Sequence, residues 1–290
     1  MNKITPYTLN QLRDYSSLFS RSAALEWLEG DFASIDYKIE RYDKKWIRFK
    51  NATYLKYLRH VYSVLENKYQ NEYIYKNEFL NQWLIDELGE SNSKIYNEFR
   101  VGNSIADLAM FNGTSKVFEI KTELDTAARL EMQLESYRFA FNYLYLIIPE
   151  SKIDLYSKTE EGVGMILFRD DQTKRFELYR KASFNHFIDS EIVMHILHTN
   201  EYRQLVKDYY GSLPNRLTSF NQFKICMDLV KEIPNQTLND LFIKTLKKRD
   251  KENALSSRFY KEFNQLSLAL DLNKQEKGEM IKKLKSPINF

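Results

Sequence analysis

The stretch from Ile105 to Lys121 constrains the fold of this chain more than any other. It reads IADLAMFNGTSKVFEIK, two short apolar runs around Asn112-Gly113. Asn and Gly both tolerate the positive φ angles that tight hairpin turns require. The second run, Val117 to Lys121, is rich in β-branched and aromatic residues, as strands are. The stretch therefore predicts two antiparallel strands joined by a short turn.

The charged residues of this hairpin fall on one face. Side chains alternate along a strand, so Glu119 and Lys121 point to the same side of the second strand, and Asp107 points with Ala109 on the first. Pairing of the two strands brings the three charges together. One interpretation is a solvent-facing hairpin decorated with charge. The other is a site for a metal ion, which the surrounding hydrophobic strands favour.

A helix is predicted directly after the hairpin. Thr126–Phe141 has apolar residues at helical spacing, and Asp125 before it is a good N-cap type. On that helix Arg129, Gln133 and Tyr137 are spaced by four and lie along one stripe. The stripe is expected to line the same site as the hairpin charges.

These motifs together resemble those of a known superfamily. Ile105-Ala106-Asp107, Glu119-Ile120-Lys121 and Gln133-x-x-x-Tyr137 look like the PD-(D/E)xK phosphodiesterases, the restriction-endonuclease-like nucleases. A bacterial family within it has a similar IAD…EIKTELD…RLxxQ signature. The resemblance covers roughly residues 77 to 150, with Ala106 where a Pro is often found. It implies an α/β fold, a restriction-endonuclease-like mixed β-sheet core flanked by helices.

The resemblance also implies a site and a reaction. The implied residues are, in chain order, Asp107, Glu119, Ile120 (through its carbonyl), Lys121, Gln133 and Tyr137. The two carboxylates and the carbonyl are the expected ligands of Mg²⁺ or Mn²⁺, which prefer hard oxygen donors. Lys121 would orient the attacking water or stabilise charge on the phosphate, with Gln133 and Tyr137 in support. The expected activity is divalent-metal-dependent hydrolysis of phosphodiester bonds in DNA.

Two further acids compete for a place in this site. Glu78 lies in the first turn of a helix predicted over Asn77–Leu88 and ended by Gly89, and the resemblance matches it to an additional metal ligand. Alternatively it only favours the helix dipole, worth about 0.3–1 kcal/mol. Glu98, on a strand predicted over Ile95–Val101, is either another acid of the site or a cross-strand partner of a basic residue.

The remaining patterns define three consecutive regions. Tyr143–Ile148 is a near-continuous apolar run typical of a fully buried strand, which makes Val117–Ile148 a βαβ unit. Val163–Phe168 and Phe176–Arg180 predict a hairpin that extends the same sheet. The nuclease-like core is thus expected over residues 77–182. The flanking regions 1–76 and 183–290 show helical periodicity.

Composition limits the cellular setting and the partners. The net charge is only +3, but Lys244–Lys285 holds twelve basic and six acidic residues, and Lys38–Arg48 interleaves basic and aromatic side chains. Both segments are candidates for binding nucleic acid. A single cysteine, Cys226, fits a reducing cytoplasm. No apolar run is long enough to cross a membrane, so no membrane partner is expected.

An alternative is that the chain has the nuclease fold but does not cleave phosphodiester bonds. The chain would then be a non-catalytic nucleic-acid-binding or regulatory subunit of a defence or mobile-element system. RNA in place of DNA is a third interpretation. In either case a protein partner, or a second copy of the chain, is expected to bind through the helical regions.

Overall fold

The computed structural model describes residues 7–87, 93–170, 173–249 and 259–288. In chain order the described elements are α1 (Leu9–Ser17), α2 (Arg21–Glu29), α3 (Ala33–Tyr42), a 3-10 turn (Lys44–Arg48), α4 (Tyr54–Lys68), α5 (Glu72–Phe79), a π-helical turn (Leu80–Leu84), α6 (Ile85–Glu87), β1 (Lys94–Val101), β2 (Ser104–Phe111), β3 (Ser115–Ile120), α7 (Leu130–Arg138), β4 (Tyr143–Pro149), a 3-10 turn (Glu150–Lys152), α8 (Ile153–Tyr156), β5 (Gly164–Phe168), β6 (Phe176–Arg180), α9 (Ser190–Ile196), α10 (Thr199–Tyr210), α11 (Gln222–Lys231), α12 (Asn235–Lys248), a 3-10 turn (Lys261–Phe263), α13 (Asn264–Ala269) and α14 (Lys274–Leu284).

The chain forms two compact units. The helical unit comprises Met1–Ile85 together with Lys251–Phe290, and the sheet unit comprises Asp86–Asp250. This division differs from the three consecutive regions 1–76, 77–182 and 183–290. Helices α7 to α12 belong with the sheet, whereas the last forty residues belong with the N-terminal helices.

The sheet unit contains a mixed sheet of six described strands in the order β1-β2-β3-β4-β5-β6. β3, β4 and β5 are parallel to one another, and the other neighbours are antiparallel. The predicted hairpin is confirmed: Leu108 pairs with Phe118, Phe111 pairs with Ser115, and Gly113 in the turn has φ 103°. The βαβ unit and the β5–β6 extension are confirmed as well.

One face of this sheet carries the core of the unit. By strand alternation Ala109, Phe111 and Val117 lie on the same face as Asp107 and Glu119. These three apolar residues belong to one buried cluster that also includes side chains of α7 and of α9 to α12. Among them are Leu134, Tyr137, Val193, Leu205, Phe242 and Leu246. The α7 crossover and the four later helices therefore pack on the face that bears the candidate site.

The helical unit has its own core, built from both ends of the chain. Tyr57, Leu58 and Val61 of α4 are buried with Phe263 and Met280 from the C-terminal segment. A backbone bridge between Thr53 and Pro287 holds the two ends of this unit together.

The prediction that a helix over Asn77–Leu88 begins at Asn77 is wrong. α5 begins at Glu72, because the side chain of Asn71 accepts a hydrogen bond from the N–H of Ile74 and caps it. The chain then passes into the π-helical turn. Glu78 consequently lies in the last turn of α5 and not in a first turn. The predicted end at Leu88 and Gly89 falls outside the described residues.

Within the ranges that the structure describes, every helix is too short or too polar to cross a membrane. The single cysteine, Cys226, is buried and makes no disulfide.

Candidate functional site

The β2–β3 hairpin places the two acids of the predicted motif side by side. Continuing the register from the Leu108–Phe118 pair puts Asp107 beside Glu119. One carboxylate oxygen of Asp107 accepts a hydrogen bond of 2.7 Å from the backbone N–H of Ile120. Asp107 is half-buried, and Glu119 is only 3% exposed. The hairpin itself therefore brings a second carboxylate close to a buried one.

Three side chains hold the carboxylate of Glu119. The ammonium of Lys121 and the amide nitrogen of Gln133 donate to Glu119 Oε1, each at 2.7 Å. The hydroxyl of Tyr137 lies 2.9 Å from Glu119 Oε2. Lys121 also donates to the amide oxygen of Gln133 at 3.0 Å. The structure thus unites Asp107 with the four other side chains that the motif predicted on the hairpin and the next helix.

The crossover helix explains why Gln133 and Tyr137 reach the strand. α7 follows β3 and packs on its face, and residues four apart on a helix lie on one side. The hydroxyl oxygen of Tyr137 is 2.9 Å from the carbonyl of Ile105 as well as from Glu119. Tyr137 therefore ties α7 to both strands of the hairpin.

The electrostatics of the site are dominated by burial and by like charge. Burial raises the pKa of Glu119, and the neighbouring carboxylate of Asp107 raises it further, while Lys121 and Tyr137 act in the opposite direction. Burial and the Glu119 carboxylate also raise the pKa of Tyr137 well above its usual range, so its phenol stays protonated. A cation beside the two acids would relieve the repulsion that disfavours ionised Glu119.

The donor set suits a hard divalent cation. Mg²⁺ keeps several waters and commonly binds through one or two carboxylates plus substrate phosphates, which Asp107 and Glu119 match. Among the described residues, however, no group of three or more His, Cys, Asp or Glu side chains is close enough to hold a metal ion. Ile120 donates its N–H to Asp107, and the role of its carbonyl as a metal ligand stays a prediction.

Glu78 lies in the helical unit, where neutral donors hold it. It is 1% exposed; Tyr62 donates its hydroxyl hydrogen to Oε1 at 2.5 Å, and Gln82 donates its amide to Oε2 at 2.7 Å. Asn77 donates in turn to the Tyr62 oxygen at 2.6 Å. These contacts explain why the carboxylate is buried, and its role as a metal ligand stays a prediction.

Glu98 lies on β1 at the register position opposite Asp107. The pairs on either side, Asn97 with Leu108 and Phe99 with Ala106, follow one continuous register. Glu98 has φ 53° and is exposed. Its role as a further acid of the site or as a cross-strand partner of a basic residue stays a prediction.

The loop after Lys121 was not foreseen from the sequence. The ammonium of Lys152 donates to three carbonyls of this loop, those of Thr122 at 3.1 Å, Glu123 at 2.6 Å and Asp125 at 3.0 Å. A lysine thirty residues downstream has no local signal that would reveal such a contact. Lys152 thereby fixes the backbone that immediately follows the candidate catalytic lysine.

The prediction that Asp125 caps a helix beginning at Thr126 is wrong. α7 begins only at Leu130, and its N-cap residue, Arg129, makes no side-chain cap. The carboxylate of Asp125 instead accepts hydrogen bonds from the N–H and the hydroxyl of Thr122, at 2.8 and 2.7 Å. Asp125 closes a turn because its carboxylate is already engaged upstream.

Comparisons with known proteins place the chain beside a phage protein. Protein cII of Enterobacteria phage P4 is 25% identical over 173 residues, which are 58% of this chain and 64% of that protein. The chain thus spans less than two thirds of that relative. A protein of unknown function from Silicibacter pomeroyi aligns with 48% of this chain and 93% of its own, at 10% identity and a TM-score of 0.32, too low to support an argument about the fold.

The family comparison reaches further along the chain. The model of the family described as bacteriophage P4 protein cII matches residues 65–274, a range that includes every candidate site residue discussed above, the whole sheet unit and part of the helical unit. Since this range is well over half of the sequence, the chain belongs to the bacteriophage P4 protein cII family.

Proposed function

We propose that this protein is a divalent-metal-dependent nuclease that hydrolyses phosphodiester bonds of DNA, with a restriction-endonuclease-like core of the PD-(D/E)xK type. The observation that carries the proposal is the convergence of Asp107, Glu119 and Lys121 at one end of a buried hairpin. Gln133 and Tyr137 of the following helix hold that arrangement in place.

The residues divide the chemistry among them. Asp107 and Glu119 would hold Mg²⁺ or Mn²⁺, which when bound makes a water nucleophilic and neutralises phosphate charge. Lys121 would orient that water or stabilise the charge that develops on the phosphate. Its ammonium is shared between Glu119 and Gln133, so it is fixed before substrate arrives. Tyr137 and Gln133 orient the glutamate through its two oxygens.

The sheet supports the same proposal at the level of architecture. The acids lie on an antiparallel hairpin, and the strand that carries Glu119 continues through a helix into a parallel neighbour. β3 is an interior strand of the sheet, and its C-terminal end leads into Lys121 and the exposed loop held by Lys152. Substrate can therefore approach the acids from the exposed loop side.

A second candidate function is a binding module without cleavage. Two observations favour it: both oxygens of Glu119 already have hydrogen-bond partners, and no third acidic ligand accompanies the pair among the described residues. In that case the polar cluster would stabilise the hairpin and α7.

A cleavage assay separates the two functions. Supercoiled plasmid, linear duplex, single-stranded DNA and RNA are incubated with the full chain in Mg²⁺, in Mn²⁺ and in EDTA. We expect metal-dependent cleavage of DNA that is lost in Asp107→Asn. Asn keeps the shape of Asp but not its charge, and the same substitution at the exposed Asp154, Asp154→Asn, serves as the matched control. Absence of cleavage of all four polymers in both metals would favour the binding module.

A further inference from the structure

A basic surface lies on the sheet unit, away from the acids. Five cationic residues of α10 and α12 make up this surface, which we call the α10–α12 surface: Arg203, Lys207, Lys244, Lys247 and Lys248. The lysines of α12 are spaced by three and four, so they share one side of the helix. They line a groove of about 360 Å³ together with the hairpin turn at Gly113.

A second groove continues this surface along α10. It has a volume of about 460 Å³ and includes Arg203, Gln204 and Lys207. Asp208 links the linings of the two grooves, because it accepts hydrogen bonds from Gln204 of one at 2.5 Å and from Lys244 of the other at 3.0 Å. We call the two linked linings the strip.

The charge of the strip is positive. Among the described residues, its five cations lie near two carboxylates, Asp208 and Asp240. Lys244 pairs with Asp208, and Arg203 bonds the amide of Gln222. Lys248 acts on Asp208 at longer range, but Lys207, Lys247 and Lys248 form no ion pair with described residues. This excess of positive charge fits a ligand that supplies several negative charges in a row.

The position of the strip relates it to the candidate site. Gly113 lies in the turn before β3 and Glu119 near the end of β3, six residues later, which is at most roughly 20 Å at the rise of a strand. α7, α10 and α12 pack on the same face of the sheet. One strand of duplex DNA advances 3.4 Å per nucleotide, so this separation corresponds to about six nucleotides.

We propose that the α10–α12 surface binds the phosphate backbone of duplex DNA about six nucleotides from the bond that is cleaved. This inference rests on the proposed function for its substrate. The acids at the site repel a polyanion, so affinity has to come from basic groups elsewhere, and these three lysines are free to supply it. Contacts to phosphate set register and carry no sequence information.

The test compares two triple variants with equal loss of charge. The surface variant is Lys207→Gln, Lys247→Gln, Lys248→Gln, and it keeps Lys244 because that side chain bonds Asp208. The control variant is Lys158→Gln, Lys174→Gln, Lys181→Gln, three exposed lysines elsewhere on the same unit that make no ion pair with described residues. Both must melt at the same temperature before binding is compared.

Binding is measured in EDTA, where cleavage does not interfere. Fluorescence anisotropy of a labelled duplex of about 30 base pairs is recorded between about 50 and 200 mM salt. Each phosphate contact contributes about −0.9 to the slope of log affinity against log salt. We expect the surface variant to flatten that slope by about two to three units and to bind at least about tenfold more weakly at low salt, with the control unchanged.

Several outcomes would overturn the proposal. Equal slopes in the two variants would remove the surface from DNA binding, and so would absence of duplex binding by the wild-type chain at about 50 mM salt. Stronger binding to phosphatidylserine vesicles than to DNA, lost in the surface variant, would assign it to a membrane. The cleavage assay is read separately: binding through these lysines without cleavage overturns only the nuclease, and cleavage with an unchanged slope overturns only this surface.

Discussion

Two buried glutamates, one in each unit, are held by the same kinds of donor. Glu119 in the sheet unit receives the hydroxyl of Tyr137 and the amide of Gln133, and Glu78 in the helical unit receives the hydroxyl of Tyr62 and the amide of Gln82. The difference lies in their charged neighbours. Only Glu119 has a lysine bonded to it and a second carboxylate beside it.

This difference teaches what makes a buried acid a candidate for chemistry. A tyrosine and a glutamine satisfy a carboxylate wherever it is buried, as hydrogen bonding requires. Lys121 and Asp107 add opposite charges around Glu119, and each also makes a bond of its own, Lys121 to Gln133 of α7 and Asp107 to the N–H of Ile120. The proposed function assigns these charges to a ligand, and substitutions at the two glutamates test that contrast.

The largest effect is expected at the acid pair of the sheet unit. Asp107→Asn or Glu119→Gln removes a charged oxygen ligand and keeps its shape. Plasmid cleavage in Mg²⁺ should fall by more than about a hundredfold, beyond the loss usual for the outer partners of metal ligands. Initial rates at several Mg²⁺ concentrations measure the change. Cleavage at the wild-type rate by either variant would show that the acids are misassigned.

The next largest effect is expected at Lys121. Lys121→Met keeps the length of the side chain but removes the ammonium shared by Glu119 and Gln133. If it acts on the transition state, kcat should fall by about a hundred- to a thousandfold while KM changes only a few-fold. Lys121→Arg should not restore the rate, because a planar guanidinium is bulkier than an ammonium. Equal losses in kcat and in binding would make Lys121 a phosphate anchor.

Lys152 is expected to act through the position of Lys121. Lys152→Met removes the donor to three carbonyls of the loop that follows it, so the loop can shift. A shift of about 1 Å costs up to about a hundredfold in rate. We expect a lower kcat with little change in KM, and partial recovery in Lys152→Arg, which keeps a charged donor. A purely structural residue would lower the melting temperature and leave the kcat of the folded protein unchanged.

A smaller effect with a definite sign is expected in the stability of Glu119→Gln. Burial and Asp107 raise the pKa of Glu119 in the folded state, so the folded protein binds this proton more tightly than the unfolded chain. That contribution is complete below the ordinary pKa of a glutamate and is lost as pH rises through the raised value. Gln cannot ionise, so the variant should melt above the wild type at about pH 8, with the gap closing toward about pH 4. Melts in EDTA that show a gap independent of pH would contradict this.

The smallest effect is expected at the glutamate of the helical unit. In Glu78→Gln an amide nitrogen replaces one acceptor oxygen, so one of the bonds from Tyr62 and Gln82 is weakened. The cost should be about 1 kcal/mol in the free energy of unfolding, measured with denaturant. The cleavage rate of the folded variant then tests whether Glu78 is the additional metal ligand that the resemblance implies. A loss as large as that of Glu119→Gln would make it a metal ligand.

Local patterns sufficed to predict the hairpin and the acids it carries. Asn112-Gly113 permits the turn, the β-branched and aromatic run that follows extends as β3, and strand alternation puts Asp107 and Glu119 on one face. The parallel strand after α7 followed from an apolar run behind a helical segment. These features depend on neighbours within a few residues, which the sequence displays directly.

Competing local hydrogen bonds decided where two helices begin. Asp125 has the chemistry of a helix cap, yet its carboxylate bonds Thr122 and the helix starts five residues later. Glu78 changed from the first turn of a helix to the last because Asn71 caps the chain earlier. In both places two local structures were compatible with the residues, and the sequence pattern does not choose between them.

The sequence by itself therefore determined the motif, the strand faces and the helical content of both ends. Only the tertiary structure decided that the C-terminal segment shares a core with α4, that Lys152 holds the loop behind Lys121, and that lysines of α10 and α12 line two neighbouring grooves. The physical reason is that periodicity reports which face of an element is buried but not which partner buries it. A hydrogen bond or a shared core across tens of residues leaves no mark on the residues between.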